Sequence, residues 1–239
     1  MTTPISPDSG PGRLLLPDRL VEGYGSFLKG HFAHEQDRFR HLAVAGQTPR
    51  MMLIGCCDSR VSPEVIFDAE PGELFVVRNI ANLVPPYAPN EDLHGTSAAL
   101  EFAVMGLKVG HIIVMGHAGC GGVRAFAKGE YAAGYKPLSP SDFIGDWISL
   151  LNPAAARIEA GGPIDDYIER LAQASIVQSL ANLRSFPWIR AREREGKLAL
   201  HGAYFGIATG ALQALDEPSG CFVAISGAAH CAACASQNM

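Results

Sequence analysis

Three short apolar runs, at residues 51–55, 74–77 and 111–115, stand out from the mixed polar and apolar texture around them. Runs of this length, bounded by Pro49, turn residues and polar motifs, predict strands buried on both faces, as in parallel sheets. Between the second and third, residues 96–107 bring Leu100, Phe102, Ala103 and Leu107 to helical spacing. Strand, helix and strand at these lengths argue for crossover units. Upstream, Leu20, Tyr24, Phe27, Leu28 and Phe32 predict a helical arm over 20–45, with Pro17 and Asp18 suited to its start. The arm has no partner within its own neighbourhood.

Residues 141–194 read as mostly helical, broken at Asn152-Pro153, Gly161-Gly162-Pro163 and Phe186-Pro187. Residues 198–205 and 211–215 then predict two strands joined around Thr209-Gly210, an antiparallel hairpin closing the sheet. A short strand at 221–225 is a further candidate. The expected fold is α/β, with a mostly parallel central sheet, an antiparallel C-terminal strand, flanking helices and an N-terminal helical arm. Residues 1–15 are expected to be a disordered lead, 16–226 one domain including the arm, and 227–239 a loose tail.

Composition narrows the partners. A chain of 239 residues that is 48% hydrophobic can bury one substantial core. A formal charge of −5 gives no electrostatic reason to expect nucleic acid or an anionic membrane. Basic residues between Arg184 and Lys197 are interleaved with Glu193 and Glu195, which reads as a solvated helix face. The lead lacks a basic segment followed by an apolar one, and no apolar run approaches membrane length, so a cytoplasmic location is expected. Six cysteines in so long a chain point to thiol or metal chemistry instead of a disulfide scaffold.

Two motifs carry that chemistry: Cys56-Cys57-Asp58-Ser59-Arg60 and His117-Ala118-Gly119-Cys120. Both begin where a predicted strand ends, the edge at which open α/β sheets bind ligands. Cys56, His117 and Cys120 supply two thiolates and one imidazole, a set suited to zinc with its fourth position open. Gly116, Gly119, Gly121 and Gly122 permit a tight turn around them. Asp58 and Arg60, two residues apart, can meet as a bidentate pair that keeps the carboxylate ionised. Asp58 then either accepts a hydrogen bond from the group at the fourth position or occupies that position itself. Cys57 is expected to be a small buried residue.

These motifs, with the run from Leu74 to Asn82 and the continuation Gly121-Gly122-Val123, resemble the β-class carbonic anhydrases over about residues 27–215. The resemblance implies one zinc per chain on Cys56, His117 and Cys120, with Asp58 and Arg60 as the gating and orienting dyad. The implied reaction is reversible hydration of carbon dioxide to bicarbonate and a proton, by attack of zinc-bound hydroxide. Gln47 and Phe75 match the substrate-binding glutamine and apolar wall of the plant-like subgroup, and Gly121 joins them as a substrate-binding position. A second subgroup closes its site through a bicarbonate pocket built with tryptophan, arginine and tyrosine. This chain has Leu53, Arg78 and Phe102 at those places, so a permanently accessible site is expected.

Phe102 also departs from the plant-like pattern, which usually has tyrosine, and this puts a hydrogen bond to the Cys120 sulfur in question. Arg78 is expected to pair with a backbone carbonyl or carboxylate and so shape the turn. His94 and His111 are the candidates for proton transfer, each more readily structural. His230, Cys231 and Cys234 have metal-ligand spacing but lack a fourth ligand nearby, and read as incidental to the tail. The resemblance further implies a homodimer or higher even-numbered oligomer, with the arm packed across the partner. Two other readings compete: hydrolysis of carbon disulfide or carbonyl sulfide at the same zinc, and a non-catalytic zinc protein.

Overall fold

The computed structural model describes residues 15–90, 93–129 and 137–225. The expected lead, apart from Leu15, and the expected tail with His230, Cys231 and Cys234 lie outside the described residues. The chain divides into two compact units, Met1–Gln47 and Thr48–Met239.

The first unit holds three helices: α1 (Asp18–Lys29), α2 (His31–His34) and α3 (Gln36–Ala45). The single arm expected over 20–45 is interrupted at Gly30 and Glu35, whose N–H groups cap the preceding turns on Ser26 O and His31 O. The interruptions fold the aromatic face back on itself. Phe39 meets Phe27 edge-on at 5.9 Å and lies 5.2 Å from Phe32. None of the three helices contains a fully buried residue, and Leu20, Val21 and Tyr24 remain more than half exposed.

The second unit is built on a six-stranded sheet. Its strands are β1 (Met51–Cys56), β2 (Leu74–Asn79), β3 (His111–His117), β4 (Ala199–Phe205), β5 (Leu212–Asp216) and β6 (Cys221–Ala224). They lie in the order β2-β1-β3-β4-β5-β6. The first four are parallel, and β5 and β6 are added antiparallel. The candidate strand at 221–225 therefore forms, and the sheet ends on β6, beyond the hairpin. Helices α4 (Pro63–Ile66), α5 (Gly95–Glu101), α6 (Gly121–Ala127), α7 (Phe143–Ile148), α8 (Asn152–Ala155), α9 (Ile164–Leu183) and α10 (Pro187–Arg194) fill the connections. Asn152-Pro153 opens a helical turn where a break was expected. Proline in a first turn forfeits no intrahelical hydrogen bond.

Strand alternation sorts the sheet's side chains into two layers. Met52, Ile54, Ile112, Val114 and Leu200 belong to the main core with Leu171, Ile176, Leu180 and Leu183 of α9. Leu53, Met115 and Ala203 form a smaller cluster with Ile66, Ile113 and Leu212. Each fully buried Leu or Ile contributes about 1.5–3 kcal/mol. Helix α9 can sit close because glycine floors two adjacent strands beneath it. A Cβ on Gly116 would lie 2.9 Å from Ile176 Cδ1. One on Gly202 would lie 2.9 Å from Ile176 Cγ2 and 3.0 Å from Leu215 Cβ.

At the C-terminal end of α9, Arg184 donates to both Glu193 and Glu217, with nitrogen–oxygen distances of 2.8 Å to each. This guanidinium ties α9 to α10 and to the β5–β6 turn. It also holds the Glu217 carboxyl below its ordinary value of 4.5.

Two outcomes are expected. Gly202→Ala should lower unfolding free energy in urea by about 1–3 kcal/mol, because Leu215 Cβ is anchored to backbone and cannot swing away. Glu217→Gln should cost about 0.2–1 kcal/mol at pH 7, the range for a solvent-screened pair. A lowered carboxyl pKa stabilises the fold above the unfolded pKa and loses that contribution as pH falls. The difference from wild type should therefore close as pH drops below 4.5, as denaturant titrations would show.

Candidate metal centre

Strands β1 and β3 are neighbours in parallel register, Gly55 opposite Met115, so Cys56 and His117 leave the sheet side by side. The turn after His117 reverses at Gly119, whose φ of +65° suits a residue without Cβ. Cys120 then caps α6. All three residues are buried, and one ligand atom from each lies within 4.8 Å of the others. Among the described residues this is the one such cluster of His, Cys, Asp or Glu.

The distances suit a tetrahedral ion. With metal–sulfur bonds of about 2.3 Å, two thiolates on one tetrahedral zinc stand roughly 3.8 Å apart. Cys56 Sγ and Cys120 Sγ are 3.9 Å apart. The imidazole is oriented as a ligand should be: Nδ1 lies 3.0 Å from the carbonyl of Ala118 and donates to it. That fixes the tautomer and leaves Nε2 as a lone pair. Nε2 is buried and faces the Cys56 sulfur, with no nitrogen or oxygen partner among the described residues.

The electrostatics also fit a cation. The hydrogen bond from Cys120 pulls the Cys56 thiol down from 9.0 to about 4, aided by His117 and the N–H groups of Asp58 and Ala81 against the effect of burial. That hydrogen bond and burial drive Cys120 well above 9.0, although the N–H groups of Val123 and Gly122 work in the opposite sense. Burial alone would lower the His117 pKa, but the Cys56 sulfur and the Ala118 carbonyl outweigh it and the net shift is upward. The pocket stabilises one negative sulfur and resists the second until positive charge is supplied. Cys56, His117 and Cys120 thus fit zinc by distance, tautomer and charge.

Asp58 and Arg60 meet as the spacing predicts. Oδ1 of Asp58 accepts from Arg60 Nε at 2.9 Å and from its backbone N–H at 3.0 Å, and Oδ2 accepts from Nη2 at 2.6 Å. These bonds hold the carboxyl well below the usual carboxylate range. Oδ2 lies 4.0 Å from His117 Nε2. Asp58 borders the ligand cluster without belonging to it. Arg78 has the turn-shaping part expected of it, with Nε donating to Cys56 O at 2.8 Å and Nη2 to Asp58 O at 2.7 Å.

Cys57 corrects an expectation. It is exposed, not buried, because it follows the inward-facing Cys56 and points to the opposite side. The bicarbonate-pocket positions are otherwise engaged: Leu53 is 1% exposed in the smaller cluster, Arg78 is bound to backbone, and Phe102 is 53% exposed. Phe75 and Phe102 pair with ring centroids 5.8 Å apart. Gly121 opens α6 with free space where a Cβ would stand. Gln47 is exposed at the end of the first unit. His111 starts β3, six residues and about 20 Å before His117 at strand rise, too far for direct proton transfer at the metal ligands.

Sequence reasoning missed the turn at Ile80–Asn82. Ala81 and Asn82 are left-handed, with φ of 61° and 49°. Such conformations cost about 1–2 kcal/mol per non-glycine residue. Asn79 offsets that cost by bridging the turn, with Nδ2 donating to Leu83 O and Oδ1 accepting from Leu83 N–H, both at 2.8 Å. Trp147 Nε1 donates to Ile80 O at 2.8 Å. The reward is an Ala81 N–H aimed at the Cys56 sulfur. Gly122 is required because a Cβ there would lie 2.8 Å from Ile80 Cγ2 and 3.3 Å from the Ala81 methyl. Two asparagines flanking Ile80-Ala81, with the Gly121-Gly122 pair, were the available signals.

Comparison with known proteins points to the same chemistry. A family model described as carbonic anhydrase matches residues 51–212. Beta carbonic anhydrase 5, chloroplastic, of Arabidopsis thaliana is 37% identical over 193 residues, covering 79% of this chain and 61% of that protein. The chain thus spans less than two thirds of that relative's length. A carbonic anhydrase of Synechocystis is 35% identical over 213 residues, covering 86% of this chain and 73% of its own. Among solved structures, the β-carbonic anhydrase CcaA superposes with a TM-score of 0.75 at 34% identity, covering 88% of this chain and 92% of that one. The Coccomyxa β-carbonic anhydrase in complex with acetazolamide gives 0.70 at 29% identity, over 91% and 97%. Ligand geometry, fold and sequence agree, and the chain belongs to the carbonic anhydrase family, in its β class.

Proposed function

We propose that this chain catalyses the reversible hydration of carbon dioxide to bicarbonate and a proton. The convergence of Cys56, His117 and Cys120 beside a carboxylate held ionised by Arg60 carries this reading. Zinc, when bound, supplies the Lewis acidity that makes a water nucleophilic near neutral pH. Asp58 has no proton to give and accepts only, so Oδ2 orients an incoming O–H donor and turns that oxygen's lone pair toward the substrate carbon. The salt bridge to Arg60 disfavours Asp58 moving onto the metal, which supports a site of the accessible, plant-like kind. Arg78 fixes the backbone on both sides of Cys57, and hence the separation of Cys56 from Asp58.

The Phe75–Phe102 pair offers an apolar wall suited to a molecule without a dipole, and Gln47 an amide donor for the product's oxygen. We assign Gln47 and Phe75 to the site of a neighbouring protomer in a homodimer or higher even-numbered assembly. Among the described residues, strand β2, which bears Phe75, is the outer strand of the sheet and pairs with β1 alone, leaving an edge that a second copy can cover. A reducing compartment such as the cytoplasm suits thiolates that bind metal only while reduced.

Purified protein should contain one zinc per chain by elemental analysis, and His117→Ala or Cys120→Ser should reduce this to less than about a tenth. Stopped-flow hydration assays on zinc-replete protein from pH 7 to 9 should show turnover. Asp58→Asn, which keeps the shape but weakens the acceptor and its hold on Arg60, should lower kcat/KM about 100-fold. Wild-type inactivity at every pH would overturn the proposal. Turnover of carbon disulfide or carbonyl sulfide without carbon dioxide would transfer the site to a different hydrolysis.

A further inference from the structure

At the end of the sheet remote from the metal centre, two histidines stand side by side. His111 opens β3, and His201 lies on β4 opposite Ile113, two positions further along the same face. Their rings are 5.2 Å apart at 35°, and His111 Nδ1 is 3.0 Å from His201 Nε2. Both residues reach solvent, the His201 ring only in part. Parallel pairing fixes the two backbones, so the spacing of the imidazoles is set by the sheet.

We propose that His111 and His201 form a chelating site for a divalent transition-metal cation, distinct from the Cys56–His117–Cys120 centre. Imidazole nitrogens bind such ions at about 2.1 Å, so two adjacent ligands at right angles stand about 3.0 Å apart, and two on a tetrahedral ion about 3.4 Å. The observed 3.0 Å matches the right-angled arrangement, the preference of tetragonal Cu²⁺ and octahedral Ni²⁺. Without a cation, one ring donates an N–H to the lone pair of the other. Metal binding needs only that this proton move to the far nitrogen of the donating ring, so the neutral pair releases no net proton.

The surroundings favour the neutral ligand form. Burial and the neighbouring His111 lower the His201 pKa from 6.5, and Glu217 works in the opposite sense. Glu217 is itself engaged by Arg184, and its pull on the imidazole does not overcome the downward shift. Water completes the coordination, and a cation would join β3 to β4 where the parallel pair begins. The site does not depend on the catalytic reading.

Zinc-loaded wild type, His111→Ala and His201→Ala should each be titrated with Ni²⁺ at pH 7.5, with zinc content checked before and after. Wild type should take up a nickel equivalent that either substitution weakens at least tenfold, with zinc unchanged. Nuclear magnetic resonance should show paramagnetic broadening of the His111 and His201 imidazole signals in wild type. Lowering the pH below 6.5, where His201 protonates, should weaken uptake, since protons compete for the same lone pairs. Superimposable isotherms for wild type and variants, or broadening confined to His31, His34, His41 or His94, would overturn the site. Carbon dioxide hydration, where measured, should be unchanged in His201→Ala, so a failure of the catalytic proposal remains a separate result.

Discussion

Two buried sulfurs 3.9 Å apart impose the condition that the rest of the second unit satisfies. Neither thiol can be far from the other's charge, and a low-dielectric pocket magnifies that repulsion. The fold answers with the His117 imidazole and with directed backbone N–H groups. Those of Asp58 and Ala81 face Cys56, and those of Gly122 and Val123 face Cys120. Backbone donors cannot be lost by titration, so they stay in place as the sulfurs change charge. They leave the remaining positive charge to be supplied by an ion.

Holding those donors requires main chain in unfavourable shapes. The left-handed pair Ala81 and Asn82 exists because Asn79 and Trp147 hydrogen-bond around it, and α6 can approach because position 122 has no side chain. Helix α9 closes the arrangement from the core side, its Ile176 seated over Gly116 and Gly202. The metal centre is therefore supported by contacts among residues that never reach it.

Much of this was legible from the sequence. Strands β1 and β3 announced themselves as unbroken apolar runs with the ligands at their ends. Strand β2 gave the same signal from the sheet edge and is only half-buried, because an edge strand has a neighbour on one side alone. The Asp58–Arg60 pair followed from two-residue spacing. What was not legible depended on direction and closeness. Cys57 looked like a buried cysteine because burial was judged by residue type, whereas its orientation follows from its place just after an inward-facing neighbour. The Ile80–Asn82 turn was hidden because left-handed conformations are usually sought at glycine, and this one is built on asparagine. The breaks at Gly30 and Glu35 escaped notice because apolar spacing persists across them while the helix axis does not.

Arg78 holds carbonyl oxygens at positions 56 and 58 and touches no side chain of that segment in doing so. The path of the loop is thereby separated from its spelling. Position 57, turned outward between two anchored peptides, can change in size or chemistry without moving the ligand before it or the carboxylate after it. An exposed thiol beside a metal centre would ordinarily threaten that centre. Here it sits on a segment whose geometry is secured from the main-chain side, so variation at that position is insulated from the chemistry next door.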